Sequence, residues 1–307
     1  MNLRQKIYTI LRESDDIVSG EVIRKELGVS RVAVWKHIQA MIKSGIGIES
    51  SAKGYRLVST EDSLFPYEFG IRNGRIHFYE ELDSTMDTAK ELVRNGCEKN
   101  CIVIALKQNC GRGRLQRKWL SADGGLYVSL VASPPIPPQI ANMVNLLAAT
   151  EMAFTLQTMF DLDAKVKWPN DILIAGQKIC GILSQMETEG DQLDYITLGI
   201  GLNVNNSPEQ AMPTATSIRT LLNRTVSRRE ILIGFLDRFE PVLEHFNPES
   251  VIKKWREVNC TIGKQVEIIT VNQTHAGKAV DIDRYGGLIL QQENGKRITV
   301  LHGDCFQ

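Results

Sequence analysis

Lys167-Trp168-Pro169-Asn170-Asp171-Ile172-Leu173-Ile174-Ala175-Gly176-Gln177-Lys178-Ile179-Cys180-Gly181-Ile182-Leu183 is the stretch on which the fold turns. Two apolar runs, 172–174 and 179–183, flank Ala175-Gly176-Gln177, which predicts a short β-hairpin. Outward from it, residues 101–107, 126–131 and 195–204 read as further strands, and 139–160 reads as a helix apolar on most faces. Antiparallel strands interspersed with helices argue for an α+β fold rather than a doubly wound sheet. Helices are expected over 228–246 and 248–257. Residues 265–307 are strand-like, with turns at Asn272, Tyr285-Gly286-Gly287 and Glu293-Asn294-Gly295-Lys296. That spacing suggests a small β-barrel of about 45 residues.

Upstream, the first sixty residues read as helices over 3–13, 19–27 and 30–44, followed by a hairpin over 46–58. Ser19 and Ser30 offer N-cap oxygens, and Gly28 lies between the second and third helices. This is the sequence form of a helix-turn-helix with a β-hairpin wing. A linker of mixed polarity, 59–66, follows.

The chain has 307 residues, 43% hydrophobic and 23% charged, which excludes a disordered or fibrous protein. Lys+Arg and Asp+Glu both number 36, yet residues 1–60 carry ten basic and six acidic side chains. A polyanionic partner would therefore be met at the N-terminal end. Charge returns at Arg12 and Glu13, too early for a secretory signal, so a cytoplasmic protein is expected. The longest uncharged stretch, 124–150, contains Pro134, Pro135, Pro137 and Pro138, which excludes a membrane-spanning helix. Six cysteines without a C-x-x-C pair argue against a zinc site and for reduced thiols.

Three segments carry chemistry. Gly111-Arg112-Gly113-Arg114-Leu115-Gln116-Arg117-Lys118-Trp119 puts four cations in a glycine-punctuated loop, suited to clamp carboxylate or phosphate oxygens. Without G-x-x-x-x-G-K-[ST] it is not a Walker loop. Lys167, Asn170, Asp171 and Lys178 bracket an apolar hairpin, where polar groups are costly unless they face a site. Asp83-Ser84-Thr85-Met86 precedes a helix from Asp87, so Ser84 or Thr85 either caps it or lines a pocket.

Taken in order, D-S-T-M-D-x-A, Q-x-x-G-R-G-R-x-x-R-K-W, K-W-P-N-D, K-x-x-G-I-L, then G-I-G-L-N-V-N at 199–205 and A-T-S at 215–217 resemble biotin protein ligases. The resemblance covers essentially the whole chain and is to the bifunctional form that also represses the biotin operon. It implies a winged helix-turn-helix over 1–60, a mixed α/β catalytic domain over 66–260 related to class II synthetases, and an SH3-like barrel over 261–307. It implies ATP-dependent transfer of biotin to a lysine of a carboxyl carrier protein through biotinyl-5′-AMP, and adenylate-dependent repression of biotin-synthesis genes. By the same resemblance, Ser84, Thr85, Gln108, Arg112, Gly113, Arg114 and Lys178 contact biotin or its adenylate, with Gly111, Lys118 and Met86 beside them. Gly181 stands at the pocket floor, Trp119 shelters the adenylate, and Asn203 lies near the nucleotide. Met86 stands where Asn is frequent, and Asp304 where Glu is common.

Attack of a carboxylate on an α-phosphate brings two anions together and demands cations. Arg112, Arg114, Lys118 and Lys178 supply them, with Mg²⁺ arriving on ATP. Arg114 and Lys178 are the expected catalytic cations, and Asp171 is expected to orient the acceptor amine or accept its proton. No dedicated metal ligands are expected. For operator DNA, Ser30, Arg31, Lys36, His37 and the wing-tip Lys53 are the expected contacts, and Val32, Val34 and Ile38 the core-facing residues. An adenylate-bound homodimer would double the phosphate contacts. Two other readings stay open: a ligand-sensing transcription factor without ligase activity, and a lipoate-type ligase.

Overall fold

A computed structural model describes residues 3–43, 46–59, 62–270 and 273–306 and divides into two compact units, 1–73 and 74–307. The first unit contains α1 (Leu3–Arg12), α2 (Gly20–Leu27), α3 (Arg31–Lys43) and the hairpin of β1 (Gly47–Ser51) and β2 (Gly54–Ser59). Ser19 caps α2 by accepting from the Val22 amide, and Gly28 ends it in the left-handed region at φ 66°. Ser30 Oγ accepts from the Ala33 amide at 3.1 Å and starts α3. Ile7, Tyr8, Leu11, Ile23, Val34, Ile38 and Met41 form the core. Gly54 sits where a Cβ would lie 2.3 Å from the Val18 carbonyl, so a side chain there would push the wing off the helices. The expected end of the third helix, Ser44, and the Asn272 turn lie outside the described residues.

Val32 departs from expectation. It is 61% exposed, whereas Val34 and Ile38 are buried. At 100° per residue Val32 and Val34 stand about 200° apart, so one helix face cannot hold both.

In the second unit β3 (Ile76–Leu82) leads to α4 (Thr85–Arg94), which begins two residues earlier than expected because Ser84 accepts from the Asp87 amide. Then come β4 (Ile102–Gln108), β5 (Leu126–Ala132) and α5 (Asn142–Phe160). Pro137 and Pro138 confine residues 138–140 to a separate 3-10 turn, which shortens the helix expected from residue 139. β6 (Lys165–Lys167), β7 (Asp171–Ile174), β8 (Gln177–Glu189) and β9 (Gln192–Leu202) complete a seven-stranded sheet in the order β3-β4-β5-β9-β8-β7-β6. Every neighbouring pair is antiparallel except β3 with β4. The 167–183 hairpin forms, and Ala175 and Gly176 both take positive φ, as a two-residue type I′ turn requires.

Helix α5 is buried almost all round against β6, β7 and β8. It is covered by α7 (Arg228–Glu244) and α8 (Pro248–Val258), which follow the short α6 (Ile218–Leu222). The last strands, β10 (Gln265–Ile269), β11 (Thr274–Ile282), β12 (Leu288–Gln291), β13 (Arg297–Val300) and β14 (Asp304–Phe306), form an antiparallel sheet in the order β13-β12-β11-β10-β14. Among the described residues no helix is long and apolar enough to cross a membrane.

Candidate active site

Strand register builds the site. Asp171 of β7 opposes Gly181 of β8, which opposes Gly201 of β9, which opposes Tyr127 of β5. Residues opposed in this way share one face of a sheet. Gly199, opposite Leu183 and Ser129, joins that face. A cavity of about 360 Å³ lies over the three glycines. A Cβ at Gly201 or Gly181 would come within 2.3 or 2.8 Å of the Trp119 ring, and one at Gly199 within 2.6 Å of Met86 Sδ. Trp119 and Met86 thus rest directly on the backbone floor. The indole Nε1 of Trp119 is buried with no hydrogen-bond partner.

One region of the cavity wall is neutral and polar. The Thr85 amide and Oγ1 donate to Gln108 Oε1 at 2.8 and 3.0 Å, Ser129 Oγ donates to Thr85 Oγ1 at 2.8 Å, and Gln108 Nε2 donates to Ser121 Oγ at 3.0 Å. Ser84, Thr85 and Ser129 are almost wholly buried. Hydroxyls and an amide in a fixed network can exchange donor and acceptor roles with an uncharged heterocycle without burying a charge.

Another region is cationic. The 111–119 loop folds back on itself: Arg112 bridges Lys118, the Trp119 amide donates to the Gly111 carbonyl at 2.8 Å, and the Gly113 amide donates to the Arg117 carbonyl at 2.7 Å. Leu115 at its tip takes φ 48°. Arg112 pairs with Asp87 at 2.8 Å, Arg117 with Asp304, and Lys178 with Asp171 at 2.6 Å. Arg114 donates to Asn170 Oδ1 at 3.1 Å and stands 3.9 Å from Asp304. Burial draws the Arg114 pKa below its ordinary value, opposed by Asp304 and Asp171, but a guanidinium remains a cation. Arg114 and Lys178 are partly desolvated, Arg112 and Arg117 stay open to solvent, and each stands near a carboxylate that a substrate anion can replace. Little reorganisation is then left for the moment when charge develops.

Two segments hold this arrangement. Asn170 Nδ2 donates to the Ile182 carbonyl at 2.7 Å, which aims its Oδ1 at Arg114. Buried Trp168 donates from Nε1 to the Gly286 carbonyl at 3.0 Å and from its backbone N–H to Thr261 Oγ1 at 2.9 Å. Lys178 is fixed by backbone bonds to Thr214 and Thr216, and its Nζ lies 5.5 Å from the Trp119 ring centroid. Asn203, 3% exposed, accepts from Asn206 Nδ2 at 2.9 Å.

Of the residues singled out in the sequence for biotin, adenylate or catalysis, all but Gly111 line this cavity. Gly111 lies behind it, where a Cβ would come within 2.5 Å of the Trp119 carbonyl, so it shapes the loop. Sequence reasoning missed Asn170 and Asp304 as arginine partners and Gly199, Gly201 and Met212 as lining residues. The two glycines stood inside the quoted 199–205 motif. In the first unit, Ser30, Arg31, Lys36 and Lys53 are exposed and His37 is half-buried.

A model of the biotin/lipoate A/B protein ligase family matches residues 78–203, an HTH domain matches 3–56, and a biotin protein ligase C-terminal domain matches 261–306. The bifunctional ligase/repressor BirA of Bacillus subtilis (strain 168) is 34% identical over 95% of both chains. The chain belongs to the biotin protein ligase family. A second bifunctional ligase/repressor BirA, from Bacillus spizizenii, is 35% identical over the same shares. Among solved biotin protein ligases, that of Aquifex aeolicus in complex with biotin and ATP superposes with a TM-score of 0.65 at 28% identity, covering 76% of this chain and 97% of that one. The HTH match and the full-length relatives place this chain with the bifunctional biotin protein ligases.

Proposed function

We propose that the chain joins biotin to a lysine of a biotin carboxyl carrier protein at the expense of ATP, through biotinyl-5′-AMP, and represses biotin-synthesis genes when bound to that adenylate. One observation carries the ligase reading: a single cavity combines the neutral Thr85-Gln108-Ser129 network with Arg112, Arg114, Lys118 and Lys178 over a glycine floor. The bicyclic urea of biotin is uncharged and takes the first region, and the carboxylate and α-phosphate take the second.

In the first step a biotin carboxylate oxygen attacks the α-phosphorus, the bond to the β-phosphate breaks, and pyrophosphate leaves. Lys178 and Arg114 stabilise the charge on the shared oxygens, and Arg112 and Lys118 flank them. Trp119 lifts from Gly181 and Gly201 to cover the adenylate from water, with Asn203 beside the nucleotide. In the second step the lysine amine attacks the acyl carbon and AMP leaves with the electron pair. Asp171, freed from Lys178, orients the amine and accepts its proton. Mg²⁺ accompanying ATP would neutralise phosphate charge beside Arg114 and Lys178. Among the described residues no three His, Cys, Asp or Glu side chains gather to cage a metal.

The reading assigns three domains, 1–60 for operator DNA, 66–260 for catalysis on a class II synthetase-like core, and 261–307 as an SH3-like barrel. It also assigns an adenylate-stabilised homodimer working in the cytoplasm. Incubating the purified chain with ATP, biotin and a carrier domain should add one biotin to one carrier lysine by mass spectrometry. Pyrophosphate release with lipoate in place of biotin should stay at background. Release with lipoate alone would move the chain to the lipoate ligases, and release with neither would leave a ligand-sensing transcription factor.

A further inference from the structure

Helix α3 presents two large apolar side chains to solvent at the place where a recognition helix meets bases. Val32 is 61% exposed and Trp35 53%. With Arg31 and Lys36, also exposed, they stand at i, i+1, i+4 and i+5 of the first two turns, on a face turned away from the buried Val34, Ile38 and Met41 by about 120°. Ser30 fixes the start of the helix by capping Ala33. No Asp or Glu occurs in α3. The charges that α3 itself sets beside the apolar patch are therefore cationic, with Glu21 of α2 near enough to Arg31 to feel its charge, and they suit a polyanion.

An isopropyl group and the carbon face of an indole offer nothing to the hydrogen-bonding edges of guanine, adenine or cytosine. The apolar group that the major groove presents is the C5-methyl of thymine. We propose that Val32 and Trp35 read thymine methyls, so that this chain selects its operator partly by apolar burial, with Arg31 and Lys36 supplying the polar and phosphate contacts around it. The inference rests on the reading of residues 1–60 as the operator-binding domain, and it adds to that reading which bases the helix requires and how.

The full-length chain, with biotin and ATP, is first used to select duplexes from a random library. Each thymine of the selected site is then replaced by deoxyuridine, which removes one methyl and leaves every hydrogen-bonding group in place. At one or more positions in each half-site deoxyuridine should weaken binding about fourfold, the worth of one buried methyl. Trp35→Ala should weaken binding to the thymine duplex and erase that penalty. Val32→Thr, a change of one methyl to hydroxyl, should reduce the penalty in a variant with little risk to folding, checked by circular dichroism. Equal affinity for the deoxyuridine and thymine duplexes at every position, or an undiminished penalty in both variants, overturns the inference while leaving operator binding intact. Failure to select any sequence overturns the operator reading itself. A full penalty lost only with Arg31→Ala assigns readout to the cation and likewise overturns it.

Discussion

Lys178 and Asp171 face each other at 2.6 Å across one strand pair, and in the proposed reaction they act in different steps. Lys178 works on the adenylating phosphate, so Lys178→Ala should lower pyrophosphate release by about 100-fold or more. A near-normal rate would reduce Lys178 to an anchor for Asp171. Asp171→Asn should instead spare pyrophosphate release and slow transfer from preformed biotinyl-AMP, most strongly at low pH where the acceptor amine holds its proton. A second residue-scale prediction concerns thiols. Burial pushes Cys305 up to about 11 and Cys101 up to about 12, so at pH 8 only about a thousandth of Cys305, and less of Cys101, is thiolate. Cys110 is exposed, one residue before the cationic loop. Iodoacetamide at pH 8 should alkylate Cys110 ahead of Cys101 and Cys305, and biotin with ATP should slow it. Peptide mass spectrometry showing Cys305 labelled as fast would contradict that order.

At the scale of elements, what the sequence revealed is what short stretches determine by themselves. The two serine caps, the left-handed Gly28, the Ala175-Gly176 turn and the antiparallel hairpin each depend on a few neighbouring residues, and each forms where the residues place it. The phase of α3 did not follow, because a helix with valines on opposite sides and an outward tryptophan gives no single apolar stripe. Nor did the meeting of Arg117 with Asp304, 187 residues apart, or of Met86 with Gly199, since only the packing of a loop on the C-terminal sheet and of α4 on the seven-stranded sheet brings those residues together. Motif resemblance picked out side chains that the fold gathers around one cavity, whereas the glycine floor needed the register. That floor is testable. Gly201→Ala puts a methyl within 2.3 Å of Trp119, which must then leave its seat. Overpacking of this kind costs about 1–3 kcal/mol of stability, so Tm should fall by several degrees, and with Trp119 displaced from the floor biotin KM should rise about tenfold. An unchanged KM would show that the ligand never approaches this strand.

Across the whole molecule, the DNA-reading unit and the ligand cavity lie in separate units of one chain. If adenylate strengthens operator binding by way of dimerisation, thermodynamic linkage requires operator DNA to strengthen adenylate binding by the same total factor. Gel-shift titrations with and without biotin and ATP give one factor, and equilibrium dialysis of biotinyl-AMP with and without operator gives the other. Operator affinity indifferent to adenylate would remove the regulatory role and leave the ligase. The four tryptophans are spread over this same division. Trp168 and Trp255 are sealed in the core, Trp35 lies exposed on α3, and Trp119 lies on the glycine floor with a bare indole N–H. The protein consequently carries its own optical reporters: biotin and ATP should change the emission of Trp119 in a Trp35→Phe background, and operator should quench Trp35 in a Trp119→Phe background, against two constant internal lamps.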